Sequence, residues 1–373
     1  MKKILYKKLF LDVSKFFLLI SSSLALIIWV VQAVNFLDYI SEDGHGIKTY
    51  FFITALNLPK IFSRIIPFCI FLSTFYILNK YEVKNELLIF WNIGINKIVF
   101  INKLIYLSVF FLLIQLLFNA FLVPSSQNLA RDYIRSSNID FFPNLVKEKK
   151  FIDTVSNLTI YVETKDKNGN FKNVYLKDKL DDYKSQIIYA KTGKIVSIDN
   201  NNYLILNDGK FIDVDQEKIT TFEFKKTEFD LSKYTTKTTT FPKVQEVKTK
   251  YLLECISNLN LDREYVKATN FLVCNKKLEV TIKEEIFKRI FKPLFIPVII
   301  LIACMMVLFN KDYFNYSRIQ YFIFTFGIII IVVSEILARW VESNNSFIIF
   351  ILTPLIIFFL NYIFIINKLK FKS

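Results

Sequence analysis

Leu158-Thr159-Ile160-Tyr161-Val162-Glu163, then Asp166-Lys167-Asn168-Gly169-Asn170, then Phe171-Lys172-Asn173-Val174-Tyr175-Leu176 is the stretch whose reading decides the fold. Apolar and polar residues alternate on both flanks, and an Asn-Gly pair stands between them. Period-two alternation buries one face of a strand, and Asn-Gly accepts the backbone that a tight hairpin turn demands. The stretch predicts a β-hairpin. Short runs of the same kind follow at Gln186–Ala190, Ile195–Ile198, Tyr203–Leu206, Lys210–Val214 and Thr220–Phe224. Thr192-Gly193 and Asn207-Asp208-Gly209 read as turns between them. Strands at a spacing of roughly ten residues predict a sandwich or jelly roll, with an open sheet and exposed edges as the other arrangement. Lys243–Lys283 returns to a helical pattern.

Outside this insert the chain changes character. It is 53% hydrophobic, and the apolar residues come in blocks. A membrane-crossing helix needs ~20 mostly apolar residues. Phe16–Leu37, Ile61–Leu78 and Ile98–Val123 qualify before the insert; Leu294–Phe309, Ile319–Leu337 and Phe347–Ile366 qualify after it. The fold class is therefore an α-helical membrane protein with six transmembrane helices (3+3) and an inserted all-β, jelly-roll-like domain. The boundaries fall at residues 1–124, 125–287 and 288–373, with a short helix at about 82–94 between the second and third spans. The first apolar block is too long for the core of a cleaved signal and reads as a retained helix.

The net charge of +15 is a topology signal. Met1–Lys15, Lys80–Lys103, Lys311–Arg318 and Lys368–Lys372 are each net basic, whereas Asp38–Arg64 is neutral and Glu335–Glu342 acidic. That asymmetry predicts both termini on the cytoplasmic side and the nearly neutral insert on the other. No basic stripe with interleaved aromatics supports nucleic-acid binding.

Enzyme chemistry finds little here. The sequence has no Walker A pattern, no Gly-x-Ser-x-Gly and no His-Glu-x-x-His. His45 is the only histidine, and no Cys-x-x-C or Cys/His cluster exists, so no metal site is expected. Cys69 and Cys304 fall in apolar spans. For Cys255 and Cys274 in the insert, free thiols are the expectation and a pairing the alternative.

Several polar groups stand out against the apolar blocks. Gln32, Asn35 and Asp38 share one helix face, either for helix-helix packing or as the wall of a substrate cavity. Lys60 and Arg64, at i, i+4, either snorkel to the interface or face a wet cavity. Arg131 and Arg135 share a face beyond the third span. Lys288, Arg289 and Lys292 open the fourth, either as interfacial anchors or as a cationic rim for an anionic lipid head. Glu335 and Arg339 read as a self-neutralising pair. Glu86, Ile89, Phe90 and Ile93 make one face of the short helix after the second span, and Gly94 ends it. That helix either lies under the lipid heads or docks a soluble partner through Glu86.

The whole chain resembles the lipopolysaccharide-export permease family (LptF/LptG). The resemblance rests on the order of three spans, an outer β domain and three spans. It rests also on Asn85-Glu86-Leu87-Leu88-Ile89-Phe90-Trp91-Asn92-Ile93-Gly94, which looks like the family's coupling segment, on the Ile160-Tyr161-Val162-Glu163 hairpin, and on Glu285–Leu294 before span four. The hairpin leans toward the F-type member. Glu86 matches the family's acidic coupling residue, whereas Phe90, Trp91 and Asn92 stand where the family has small residues.

The resemblance implies a permease subunit of an ABC-type exporter that is not itself an enzyme. Its partners would be a second, G-type permease and a cytoplasmic ATPase dimer, which alone uses ATP and Mg; this chain would bind no cofactor. Lipopolysaccharide would leave the outer leaflet of the bacterial inner membrane and pass to periplasmic bridge proteins of similar β fold, with a single-span membrane-anchored subunit alongside. Glu86, Leu87, Phe90, Trp91 and Gly94 would couple to the ATPase. Lys60, Arg64, Arg131, Arg135, Lys288, Arg289 and Lys292 would meet the lipid headgroup, with Gln32, Asn35 and Asp38 in the cavity wall. The competing reading is ATPase-coupled mechanotransmission or an envelope-assembly scaffold, without transport.

Overall fold

The computed structural model describes residues 2–37, 47–136, 146–155, 157–166, 169–179, 184–198, 201–215, 218–231, 243–260, 267–269, 272–273, 278–339 and 344–370. The chain divides into two compact units: Met1–Val30, Asn57–Gln127 and Lys243–Ser373 form one, and Val31–Leu56 with Asn128–Pro242 the other. Asp38, His45 and Cys274 lie outside the described residues.

Six helical stretches are long and apolar enough to cross a membrane: Lys2–Asn35, Ile47–Val83, Lys97–Ile134, Glu279–Leu308, Tyr316–Arg339 and Ile351–Lys370. They match the six predicted spans. Within them, α1 is Lys2–Asn35, α2 Ile47–Leu56, α3 Leu58–Val83, α4 Glu86–Asn92, α5 Lys97–Leu117 and α6 Val123–Ser136. After the β region come α7 (Thr249–Asn260), α8 (Glu279–Ile286), α9 (Phe295–Cys304), α10 (Tyr316–Arg339) and α11 (Asn344–Lys370).

The helical unit is organised around α9. Nine of its ten residues are buried, Pro297 being the exception. It packs against α3, α5, α10 and α11. A helix apolar on every side belongs inside a bundle, whereas α1 buries only Leu9, Val13, Phe17, Ser21 and Ala25, one stripe at four-residue spacing. The rest of α1, with Leu18, Leu19, Leu26 and Ile27, is exposed and apolar, which suits lipid. Of the consecutive serines Ser21, Ser22 and Ser23 in α1, Ser21 alone is buried; Ser22 donates to the Leu18 carbonyl at 2.7 Å. Between α3 and α10 the approach is closer still. A Cβ added to Gly327 would lie 2.1 Å from Phe71 Cζ, so this crossing needs glycine.

The other unit holds a six-stranded antiparallel sheet: β1 Phe151–Val155, β2 Leu158–Lys165, β3 Asn170–Lys179, β4 Lys184–Ile198, β5 Asn201–Asp215 and β6 Lys218–Asp230. Each strand pairs with the next in sequence, an up-and-down meander. Among the described residues the second sheet of a sandwich is not seen, and β1 and β6 are open edges. The hairpin lies where the alternation placed it. Leu158, Ile160 and Val162 point inward, and Gly169 takes φ 74° in the turn. Asn173, at φ 50°, shifts the alternation so that Phe171 and Val174 both turn inward.

Two predicted turns are instead strand interior. Gly193 lies in β4, where a Cβ would stand 3.0 Å from Val174 Cγ2 and 3.1 Å from Leu206 Cδ2. Gly209 lies in β5, where a Cβ would stand 2.3 Å from the Tyr189 carbonyl oxygen. These glycines admit a neighbouring strand rather than reverse the chain. A further departure is a small β7–β8 pair (Lys267–Thr269, Leu272–Val273) inside the segment predicted as helical. Cys255 is disulfide-bonded, against the expectation of a free thiol there. Cys69 and Cys304 are free and buried, as hydrophobic residues of the bundle.

Candidate functional site

Within the helical unit a cavity of about 340 Å³ opens where four spans meet. Each span contributes a polar stripe at helical spacing: Lys60, Ser63 and Arg64 from α3; Gln115, Asn119, Val123 and Gln127 from the third span; Glu285, Lys288, Arg289 and Lys292 from the fourth; Glu335 and Arg339 from α10. Gln245 completes the lining. Six basic side chains thus face two acidic ones.

Two π-turns supply lining residues. Phe118–Leu122 in the third span and Phe287–Phe291 in the fourth each widen the helix by one residue per turn. Prolines account for their position. Pro124 cannot donate to the Ala120 carbonyl, and its ring crowds the preceding turn. The Ala120 oxygen accepts from Thr249 Oγ1 instead, at 2.6 Å. Pro293 follows the second π-turn in the same way. Such turns recur where a helix must aim side chains into a site. Asn119, in the first π-turn, donates from Nδ2 to the Lys288 carbonyl in the second at 3.2 Å, and bonds Ser63 Oγ through Oδ1. Gln115 donates to the Ser63 carbonyl at 3.3 Å. Its Oε1 is buried with no partner.

The six cations are not equivalent. Arg289 is only 2% exposed. Its Nε donates to Glu285 at 2.8 Å, one terminal nitrogen to the Val247 carbonyl (2.8 Å) and Thr249 Oγ1 (3.0 Å), and the other to the Gln245 carbonyl (3.0 Å). The planar guanidinium is consumed in pinning residues 244–249 to the fourth span. Lys288 pairs with Glu284, and Lys292 with Glu335. Glu335 is therefore not neutralised by Arg339, as the i, i+4 spacing suggested. Lys60 reaches only Gln127 Oε1, at 3.4 Å. Among the described residues, Lys60, Arg64 and Arg339 have no carboxylate partner and carry the surplus positive charge. Lys60 is half-buried and Arg64 and Arg339 are exposed; with no carboxylate against them, they suit a ligand that brings phosphate or carboxylate oxygens.

Five of the seven cations singled out in the sequence therefore meet here, with Arg289 spent on structure. Arg131 is buried in the other unit, and the Arg135 side chain lies outside the described residues. Gln32 is half-buried and Asn35 exposed, both also in that other unit. The sequence reading missed Arg339 as a lining cation, and missed Gln115, Asn119 and Gln127. The last three had a signal: amides at multiples of four residues in an otherwise apolar span.

The segment after the second span forms α4, shorter than the predicted 82–94. It buries Leu87 and Phe90, while Leu88 and Ile89 are about half exposed, so its inward face is turned from the predicted Glu86/Ile89/Phe90/Ile93 stripe. Phe90 packs edge-on to Tyr6 and Phe100, and Trp91 edge-on to Phe100. Gly94 takes φ 74° at the stop. Glu86 accepts an ion pair from Lys8 at 2.9 Å, and Asp12 accepts from Tyr81 at 2.7 Å. The basic start of α1 is thereby fastened along α3 and α4. No group of metal-ligating side chains occurs among the described residues.

A family model described as lipopolysaccharide export system permease LptF/LptG matches residues 8–368. No curated protein matches the chain.

Proposed function

This chain belongs to the LptF/LptG family of lipopolysaccharide export permeases, and from that premise we propose that it is the membrane subunit of an ABC-type exporter drawing lipopolysaccharide from the outer leaflet of the bacterial inner membrane. Both termini are cytoplasmic in this reading, and the β unit is periplasmic. A G-type or F-type homologue completes the membrane pair, a cytoplasmic ATPase dimer drives it, and periplasmic proteins of similar β fold receive the lipid with the help of a single-span membrane-anchored subunit. The observation that carries the reading is the surplus of Lys60, Arg64 and Arg339 in a cavity at the ends of four spans. Phosphates on a glycolipid head would accept hydrogen bonds from these cations and balance their charge.

Coupling is assigned to α4. Leu87, Phe90 and Trp91 hold the segment to the bundle, Gly94 ends it, and Glu86 stays at its rim with a quarter of its side chain exposed. A basic group on the ATPase then competes with Lys8 for Glu86. Co-purification with the homologous permease and ATPase, wild type against Glu86→Lys, tests this. A four-subunit complex weakened by the substitution is expected. A chain that never retains an ATPase, with or without the substitution, would favour the scaffold reading instead.

A further inference from the structure

A second cavity, of about 520 Å³, shares no residue with the first. It lies where α5 begins and α11 ends, lined by Asn96, Lys97, Asn310, Asp312, Tyr313 and Lys368. We propose that it binds the phosphate of an anionic phospholipid whose acyl chains run along the exposed apolar faces of α5 and α11.

The two ammonium groups come from different helices and are held by aromatic faces. Lys368 Nζ sits 4.4 Å from the Phe309 ring centre and 5.6 Å from that of Phe364. It has no carboxylate partner among the described residues. Lys97 Nζ sits 5.5 Å from the Trp91 ring centre and donates to the Val307 carbonyl at 3.2 Å. An aromatic face positions a cation without cancelling its charge, so Lys368 keeps its attraction for phosphate. Asn96 spends its Oδ1 on the Ile98 N–H at the start of α5, which leaves its NH2 as a donor.

The surroundings favour a lipid over a soluble anion. Tyr362 OH donates to Asn102 Oδ1 at 3.1 Å, tying α11 to α5 beside the cavity. Away from that tie, Val99 and Tyr106 on α5, and Leu360 and Phe364 on α11, are about half exposed or more. Tyr313 lines the cavity, and Phe314, next to it in the chain, is 98% exposed, as interfacial aromatics are. Basic pockets between spans at a membrane face select anionic headgroups.

Native mass spectrometry of the full chain in detergent provides the test. The probes are phosphatidylglycerol, phosphatidylcholine and inorganic phosphate. Wild type should retain phosphatidylglycerol roughly tenfold better than a Lys97→Gln/Lys368→Gln double variant. Phosphatidylcholine should not separate the two proteins, and millimolar phosphate should not displace the lipid. Equal retention by wild type and variant overturns the proposal. Displacement by phosphate, with the same dependence on the lysines, overturns the lipid in favour of a free anion. Should the double variant not fold, Lys368→Met keeps the stem on Phe309 and removes only the charge; undiminished retention by that protein overturns the proposal equally.

Discussion

Asn119 Nδ2 donates to the Lys288 carbonyl oxygen at 3.2 Å, joining two π-turns that lie far apart in the chain. One side chain thus closes a backbone acceptor in the fourth span while bonding Ser63 on the second. Asn119→Leu should strand both groups in a partly buried site and cost about 1–3 kcal/mol. A thermal melt of the detergent-solubilised chain measures it, and an unchanged melting temperature would separate the π-turns from this amide.

The unequal pairing of the cavity cations predicts two kinds of variant. Lys60→Gln/Arg64→Gln should leave the melting temperature near wild type and weaken photocrosslinking to lipopolysaccharide by roughly tenfold or more, since it removes charge without orphaning a carboxylate. Arg289→Gln should act on stability, by about 3–5 kcal/mol, because Glu285 and several carbonyls lose their buried partner. If the two swap phenotypes, the assignment of roles is wrong.

Charge exchange between Lys8 and Glu86 separates the intramolecular pair from partner docking. An ion pair this exposed is worth ~0.2–1 kcal/mol, so neither Lys8→Glu nor Glu86→Lys should lower stability much. ATPase retention should fall with Glu86→Lys and stay low in the exchanged double variant, because the partner reads the sign at residue 86. Recovery in the double variant would mean that the ion pair itself is what docking needs.

At the crossing of α3 and α10, Gly327→Ala should cost ~1–3 kcal/mol, the range for overpacking a filled core. Its added methyl would overlap the Phe71 ring, whose nearest carbon lies 2.1 Å from the Cβ position. Phe71→Leu in the same chain should restore part of the loss, read again as a melting temperature.

The six spans and the hairpin were legible because each is a local periodic signal. Ile160-Tyr161-Val162 alternates on its own, and Ile299-Ile300-Leu301-Ile302 announces burial without any partner. Gly193 and Gly209 misled because a glycine that turns the chain and one that admits a neighbouring strand look alike until Val174, Leu206 and Tyr189 are in place. The cavity was half legible. Charges in apolar runs pointed to Lys60, Arg64 and Lys292, but which carboxylate each would meet depends on packing between spans. Arg339 showed this most sharply, since the Glu335 four residues before it bonds Lys292 across the bundle. The face of α4 was misread because aromatic partners from α1 and α5, Tyr6 and Phe100, decide which side turns inward.

The burial of α9 on nearly every side has a consequence for biogenesis. The helix that touches α3, α5, α10 and α11 is encoded after the insert, some 160 residues beyond the third span. At ~5–20 residues per second, a ribosome needs on the order of ten to thirty seconds to cross that distance. Through that interval α3 and α5 stand in the membrane without their central partner, Asn119 without the Lys288 carbonyl, and Lys60 and Arg64 without the walls of their cavity. The time for which the first half of the chain stands without this partner is thus set by the length of the insert.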